Sequence, residues 1–109
     1  MRTLKFIVDG QVIRQDPNCD FNDLVPGTEG YLQAEFVFSS EWNGYARVAG
    51  FFSILGKEYT PHILKDGKTC VIPQEALERR AFKIRVIGKK GNSKITTNKV
   101  TVYQKGGMT

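Results

Sequence analysis

The sequence predicts an all-β domain, a sandwich or a barrel, and three observations carry that reading. Residues 31–38, YLQAEFVF, alternate with a period of two: Leu32, Ala34, Phe36 and Phe38 on one side, Gln33, Glu35 and Val37 on the other. Such alternation buries one face of a strand and wets the other. Turn-forming Gly, Asn, Asp and Pro clusters recur at intervals of roughly 8–12 residues, the punctuation of an antiparallel all-β domain. Only residues 73–77, PQEAL, favour helix, and they suffice for one short helical turn near 73–78. A chain of 109 residues makes one domain, and 40% hydrophobic content with seven Phe, four Tyr and one Trp can fill its core.

The elements follow in order. Residues 3–8 and 11–15 flank Asp9-Gly10, and Asp-Gly between two short apolar-containing runs predicts a hairpin with positive φ at both turn positions. Residues 16–30, DPNCDFNDLVPGTEG, read as a long loop pinned to the core by Phe21, Leu24 and Val25. The alternating strand at 31–38 comes next and breaks at Ser39-Ser40-Glu41. Trp42 follows at the corner, where the expected role is to plug one end of the domain. Asn43-Gly44 turns the chain into an apolar strand around 47–54. Leu55-Gly56-Lys57 makes a tight turn into a strand at 58–64. Pro61 places that strand at an edge or a bulge, because proline has no N–H for a ladder. Lys65-Asp66-Gly67 is a further hairpin turn into 68–72. Residues 81–87 form a strand with Phe82, Ile84 and Val86 inward and Lys83 and Arg85 outward. Residues 88–93, GKKGNS, read as a flexible hairpin loop, and 94–104 as the closing strand with Val100 and Val102 inward. Residues 1–104 are thus one β-domain and 105–109 a flexible C-terminal tail.

Nothing in this series assembles a catalytic set. Nucleophilic catalysis needs a nucleophile, a base and an orienting group together. The one base of suitable pKa, His62, follows Pro61 in a strand and has no partner at a telling spacing. Asp16, Asp20 and Asp23 share a loop, but their spacing is not that of a calcium loop, and Asp and Asn in such loops make turns. No CxxC is present, so no metal site is expected. Gly88-Lys89-Lys90-Gly91 is a hairpin tip without the helix that a phosphate-binding loop requires. No catalytic residue, cofactor or metal is therefore expected, and the chain is read as a non-enzyme. No apolar run is long enough for a membrane helix, and the charged start, MRTLKFIVDGQVIRQD, has no apolar signal core. Synthesis in a cytoplasm, which includes a host's, is the expectation, with Cys19 and Cys70 as free thiols and Cys70 acting as a small core hydrophobe.

The formal charge of +5 hides an asymmetry. Residues 1–78 hold seven Lys/Arg against eleven Asp/Glu, whereas residues 79–109 hold nine Lys/Arg and no acid. Such a split marks a nucleic-acid partner, an acidic protein partner or a neighbouring subunit's acidic half, or else a solvated strand face. The candidate partner-binding residues are Lys83, Arg85, Lys89, Lys90, Lys94 and Lys99. An oligonucleotide-binding barrel needs aromatics among its cations. Tyr45, Tyr59 and Tyr103 are the candidates for exposed rings, but only Phe82 and Tyr103 fall within the basic stretch.

Four segments taken in order resemble small β-domain proteins from the structural modules of phages and prophages of Firmicutes and related gut bacteria. They are YLQAEFVFSSEW followed by ARVAGFF; the cysteine and helical turn of KTCVIPQEAL; the strand at 82–88 closing on Gly88; and ITTNKVTV at 95–102. Together they span roughly residues 31–103. The resemblance implies an immunoglobulin-like antiparallel β-sandwich of about seven to eight strands. It also implies a non-enzymatic virion role as an accessory, adaptor or decoration component of capsid, tail or baseplate. The partners it implies are other phage structural proteins or copies of the chain in a symmetric assembly. The rival expectations are a small phage protein that inhibits a host nucleic-acid-dependent factor, and an oligonucleotide-binding β-barrel. In the ITTNKV segment, Asn98 is expected to satisfy a neighbouring backbone group at a bulge rather than to form a site.

Overall fold

Period-two alternation along the chain resolves into nine strands, described by a computed structural model over residues 1–105. They are β1 (Arg2–Asp9), β2 (Val12–Gln15), β3 (Leu32–Phe38), β4 (Ala46–Ser53), β5 (His62–Ile63), β6 (Thr69–Val71), β7 (Ala81–Lys90), β8 (Ser93–Thr96) and β9 (Val100–Tyr103). Two short 3-10 turns, Ser40–Trp42 and Gln74–Glu78, complete the regular structure. The strands form an all-β sandwich. One sheet has the order β2-β1-β3-β6. The other runs β5-β4-β7, with β8 and β9 lying end to end along the far side of β7.

The core is the sum of the inward faces. Leu4, Phe6 and Val8 of β1 and Leu32, Ala34 and Phe36 of β3 meet Ala49 and Phe51 of β4, Phe82, Ile84 and Val86 of β7 and Val102 of β9. Phe6 lies between Phe36 and Phe21, with ring centroids 5.5 Å from each. Each fully buried aliphatic or aromatic side chain of this kind contributes about 1.5–3 kcal/mol relative to exposure.

One pair departs from the antiparallel expectation: β1 and β3 run parallel and in register from Arg2↔Leu32 to Val8↔Phe38. The cause is the loop over residues 16–31. The β1–β2 hairpin returns the chain only as far as Phe6↔Gln15, and the loop then carries it back to the Arg2 end before β3 begins. Arg2 holds that path. Its guanidinium donates to the carbonyls of Asp20, Asn22 and Asp23, and its amide donates to Tyr31. Leu24 is buried and Phe21 packs on the core as expected, but Val25 is exposed and pins nothing.

The turn chemistry is sharper than the dipeptides suggested. Asp9 stays in the ladder opposite Val12, so the first turn is Gly10-Gln11, with positive φ only at Gly10 (+58°). Asp66 and Gly67, at +54° and +73°, are both left-handed, as their turn requires. The Pro61 segment is the edge of its sheet, and only His62 and Ile63 join the ladder.

The expected hairpin loop 88–93 is a correction. Gly88, Lys89 and Lys90 belong to β7, Ser93 opens β8, and only Gly91-Asn92 turns. Gly88 is in the strand through its pairing with Arg47 and Ile95, and it is glycine because Trp42 lies against it. A Cβ built there would meet Cζ3 of Trp42 at 2.5 Å. The closing strand is also two pieces. Thr97 leaves the ladder, and its hydroxyl accepts from the Val86 amide at 3.0 Å. Asn98 then crosses to the other sheet. Its Oδ1 accepts from the Ile13 amide at 2.8 Å and its Nδ2 donates to the Ile13 carbonyl at 3.3 Å. This is the backbone-satisfying role expected of it, and it joins the edge of β2 to the β8–β9 edge. With Gln11 and Gln15 donating to Thr96 and Thr101, that side of the sandwich is closed.

The tail expectation begins one residue early. Lys105 is held by its own backbone N–H to the Leu24 carbonyl and by its ammonium on Asp23 at 2.8 Å. Residues 106–109 lie outside the described residues.

Candidate functional site

Side-chain parity along β7 decides what the second sheet shows to solvent. Phe82, Ile84, Val86 and Gly88 face the core, so Lys83, Arg85, Ile87 and Lys89 face outward. Cross-strand pairing extends this face on both sides. Lys94 lies opposite Lys89, Thr96 opposite Ile87, Thr101 opposite Lys83 and Tyr103 opposite Ala81. On the other side Val48 lies opposite Ile87 and Phe52 opposite Lys83, while Ile63 pairs with Val48. The structure therefore gathers five of the six candidate cations, Lys83, Arg85, Lys89, Lys94 and Lys99, on one sheet face. Lys90 lies apart, with its ammonium 3.5 Å from the Asn43 carbonyl and over the Tyr45 ring at the Trp42 corner.

Phe52 organises the face. It points outward yet is buried, because two cations cover its ring. The Arg85 guanidinium carbon lies 4.9 Å from the ring centroid and the Lys99 ammonium 3.9 Å. Gly50, one outward position earlier, makes room for the ring. A Cβ there would sit 3.2 Å from Cε1 of Phe52. A cation over an aromatic face gains about 0.5–2 kcal/mol. Beside this cluster runs an apolar row of Ile63, Val48 and Ile87, with Ile63 81% exposed. Among the described residues the one ion pair is Lys105–Asp23, so none of the five cations has a carboxylate partner. Glu58, which bridges to Phe52 across the sheet edge, is the acid at the rim.

Sequence reasoning found the cations but missed Phe52, Val48 and Ile63. The run Val48-Ala49-Gly50-Phe51-Phe52 is apolar throughout and hides its parity. Its lack of alternation was the available signal, because a strand covered on both faces reads as a continuous apolar run.

The remaining candidates have structural employment. Trp42 is fully buried and its indole N–H donates to the Gly10 carbonyl at 2.8 Å. Phe38 and Tyr45 flank it, and Arg47 stacks on Phe38 at 4.1 Å while donating to the Trp42 and Gly67 carbonyls. The ring is the plug of the sandwich end. His62 meets the Phe51 ring edge-on. Asp16 and Asp20 accept from the Asn18 and Asn22 amides, which is turn-making, and Asp23 holds Lys105. The Lys105 ammonium keeps the Asp23 carboxyl below its usual pKa. Both cysteines are free thiols. Burial of Cys70 against Ala34 pushes its pKa up to about 12, so it stays protonated. Of the three tyrosines considered, Tyr103 is 71% exposed, whereas Tyr45 and Tyr59 pack on the core.

A concavity of about 1090 Å³ opens at the end of the sandwich away from Trp42, between the 53–60 loop and the Gln74–Glu78 turn. Gln104 lines it. This side chain is buried, and its Nε2 donates to the Leu77 and Arg79 carbonyls. Lys57, Arg79 and Arg80 share the lining with Glu58, Glu75 and Glu78, so the two signs balance. No family model, curated protein or solved structure matches this chain.

Proposed function

We propose that this chain is a non-enzymatic structural component of a phage particle, an accessory, adaptor or decoration protein that docks through the outer face of its five-stranded sheet. One observation supports this reading above the rest. Five cations without carboxylate partners among the described residues frame an apolar row on a single sheet face, half-buried at Val48 and Ile87 and exposed at Ile63. An apolar centre with charged surroundings is the anatomy of a protein interface. The four-part sequence pattern supplies the phage assignment, and virion localisation after synthesis in the host cytoplasm follows from it. The partners are other phage structural proteins or further copies of the chain.

Mass spectrometry of purified particles tests the proposal. The chain is expected in particles at a fixed ratio to a major structural protein. Recovery only as free protein from infected cells refutes it. A nucleic-acid partner is the second reading, favoured by the exposure of Tyr103 on the same face as Lys83. A gel shift whose affinity falls steeply with salt would support that reading.

A further inference from the structure

Three arginines in this domain are half-buried, and they use their N–H groups differently. Arg2 donates to three loop carbonyls. Arg47 donates to the carbonyls of Trp42 and Gly67. The buried Nε lacks an acceptor in both Arg47 and Arg85, but Arg85 alone of the three makes no side-chain hydrogen bond at all among the described residues. A guanidinium carries five N–H donors in a rigid fork, and a half-buried donor left without an acceptor is costly. Arg85 is nevertheless held in place, stacked on Phe52 with the Lys99 ammonium on the same ring. Two like charges brought to one ring with no salt-bridge partner repel each other, and an incoming anion relieves that repulsion and gives the outer guanidinium nitrogens of Arg85 an acceptor.

We propose that Arg85 and Lys99 form a carboxylate clamp for an extended acidic segment of a partner protein. The clamp rests on the docking reading above and specifies what that face receives. A carboxylate accepts from the Arg85 fork, the geometry in which arginine binds such groups best, while Lys99 supplies the second charge. Lys83 is a neighbour across the strand from Phe52, and Lys89 and Lys94 lie farther along the face. Outward side chains on a strand repeat about every 6.6–6.8 Å, so an extended segment with acids at alternate positions matches this spacing. The row Ile63, Val48 and Ile87 favours a protein segment over a nucleic-acid strand. Phosphodiesters have no use for an apolar row, and Phe52 is already covered and offers no face to a base. Glu58, paired with Phe52 at the sheet edge, disfavours a second acid at that rim.

Fluorescence anisotropy on the intact chain tests the clamp, with a labelled peptide of alternating Glu and Val as probe. The controls are the Gln-Val peptide and an oligothymidylate of equal charge. The acidic peptide binds and the Gln peptide does not. Arg85→Gln weakens binding about tenfold, a loss of about 1.4 kcal/mol. Arg85→Lys restores only part of it, because an ammonium lacks the fork. Lys5→Gln, exposed on the outer face of the other sheet, removes the same charge and changes binding less than about twofold. Circular dichroism accompanies each variant. If Arg85→Gln does not fold, Lys99→Gln, at an exposed position, carries the same comparison. Equal losses from Arg85→Gln and Lys5→Gln, tighter binding of the oligothymidylate than of the peptide, or no binding of the acidic peptide overturns the clamp. Particle occupancy separates this inference from the reading beneath it. A chain present in particles whose Arg85→Gln form is incorporated normally sinks the clamp alone. A chain that binds the peptide but is absent from particles sinks the virion assignment alone.

Discussion

Gly88→Ala adds one methyl group at the point where β7 passes the indole of Trp42. The new Cβ would lie 2.5 Å from Cζ3 and 2.9 Å from Cε3 of Trp42, and 3.2 Å from Cβ of Tyr45. Carbon atoms rest at about 3.5–4.0 Å, so the ring or the strand must move by roughly 1 Å. The ring has nowhere to go. It is fully buried, tied by its N–H to Gly10 and boxed by Phe38 and Tyr45. The strand is held by β4 on one side and β8 on the other. Overpacking of this kind costs about 1–3 kcal/mol, and the double contact with a fixed ring places Gly88→Ala at the upper end. For a domain of this size a loss of about 3 kcal/mol lowers the melting temperature by roughly 10–15 °C. Urea unfolding followed by Trp42 fluorescence and by far-ultraviolet circular dichroism measures it. The cause is isolated by a double-mutant cycle with Trp42→Phe, which removes the clashing ring atoms. The double variant should be less destabilised than the sum of the singles by at least about 1 kcal/mol. A melting temperature for Gly88→Ala within about 2 °C of wild type, or strict additivity in the cycle, would refute the account of why the chain has glycine there.

Trp42→Ala should cost about 3–5 kcal/mol, the range for large buried aromatics, and an unchanged urea midpoint would mean the plug carries no stability. Asn98→Ala should cost about 1–3 kcal/mol, because it strips the acceptor from the amide of buried Ile13 and the donor from its carbonyl; hydrogen exchange at Ile13 should rise, and unchanged protection would refute the link. Cys70 sets a pH dependence. Its folded pKa is raised to about 12 from an ordinary 9.0, so the stability it protects is complete below pH 9 and declines above it. Each pH unit across that window costs about 1.4 kcal/mol; Cys70→Ala should flatten the alkaline limb of the stability profile, and an identical limb would refute the burial argument. Lys89→Glu should leave the circular dichroism spectrum native, since exposed charges contribute about 0–1 kcal/mol; if the proposed virion role holds, it should also reduce particle occupancy at low salt and less so at high salt, where the Debye length falls to about 3 Å at 1 M, and normal occupancy at every salt concentration would make Lys89 a solvated residue only.

The sequence by itself determined the class of the fold, because the signals that specify it are local. Alternation at residues 32–38 and 82–86 names the inward residues of β3 and β7 without any knowledge of partners, and every one of those expected inward side chains packs in or against the core. Pro61 located an edge strand because proline cannot serve a ladder on both sides. The charge split likewise drew attention to Lys83, Arg85, Lys89, Lys94 and Lys99 before any geometry was known. What only the tertiary structure decided depends on residues distant in sequence. The parallel pairing of β1 and β3 follows from a loop that Arg2 holds, and no local pattern encodes that hold. Gly88 reads as a turn residue next to Lys89-Lys90-Gly91, yet it pairs with Arg47 and Ile95 inside the sheet, and it is glycine because Trp42, from another part of the chain, fills the space a side chain would need. The candidate site has the same character. Sequence parity put Lys83 and Arg85 outward, but it took the register of β4 against β7, with Lys99 reaching in from the break between β8 and β9, to set two cations on one ring and leave the Arg85 fork without an acceptor. Backbone propensity acts over a few residues, whereas side-chain contacts across a sheet join residues tens of positions apart, and the chemistry of this surface lies in the latter.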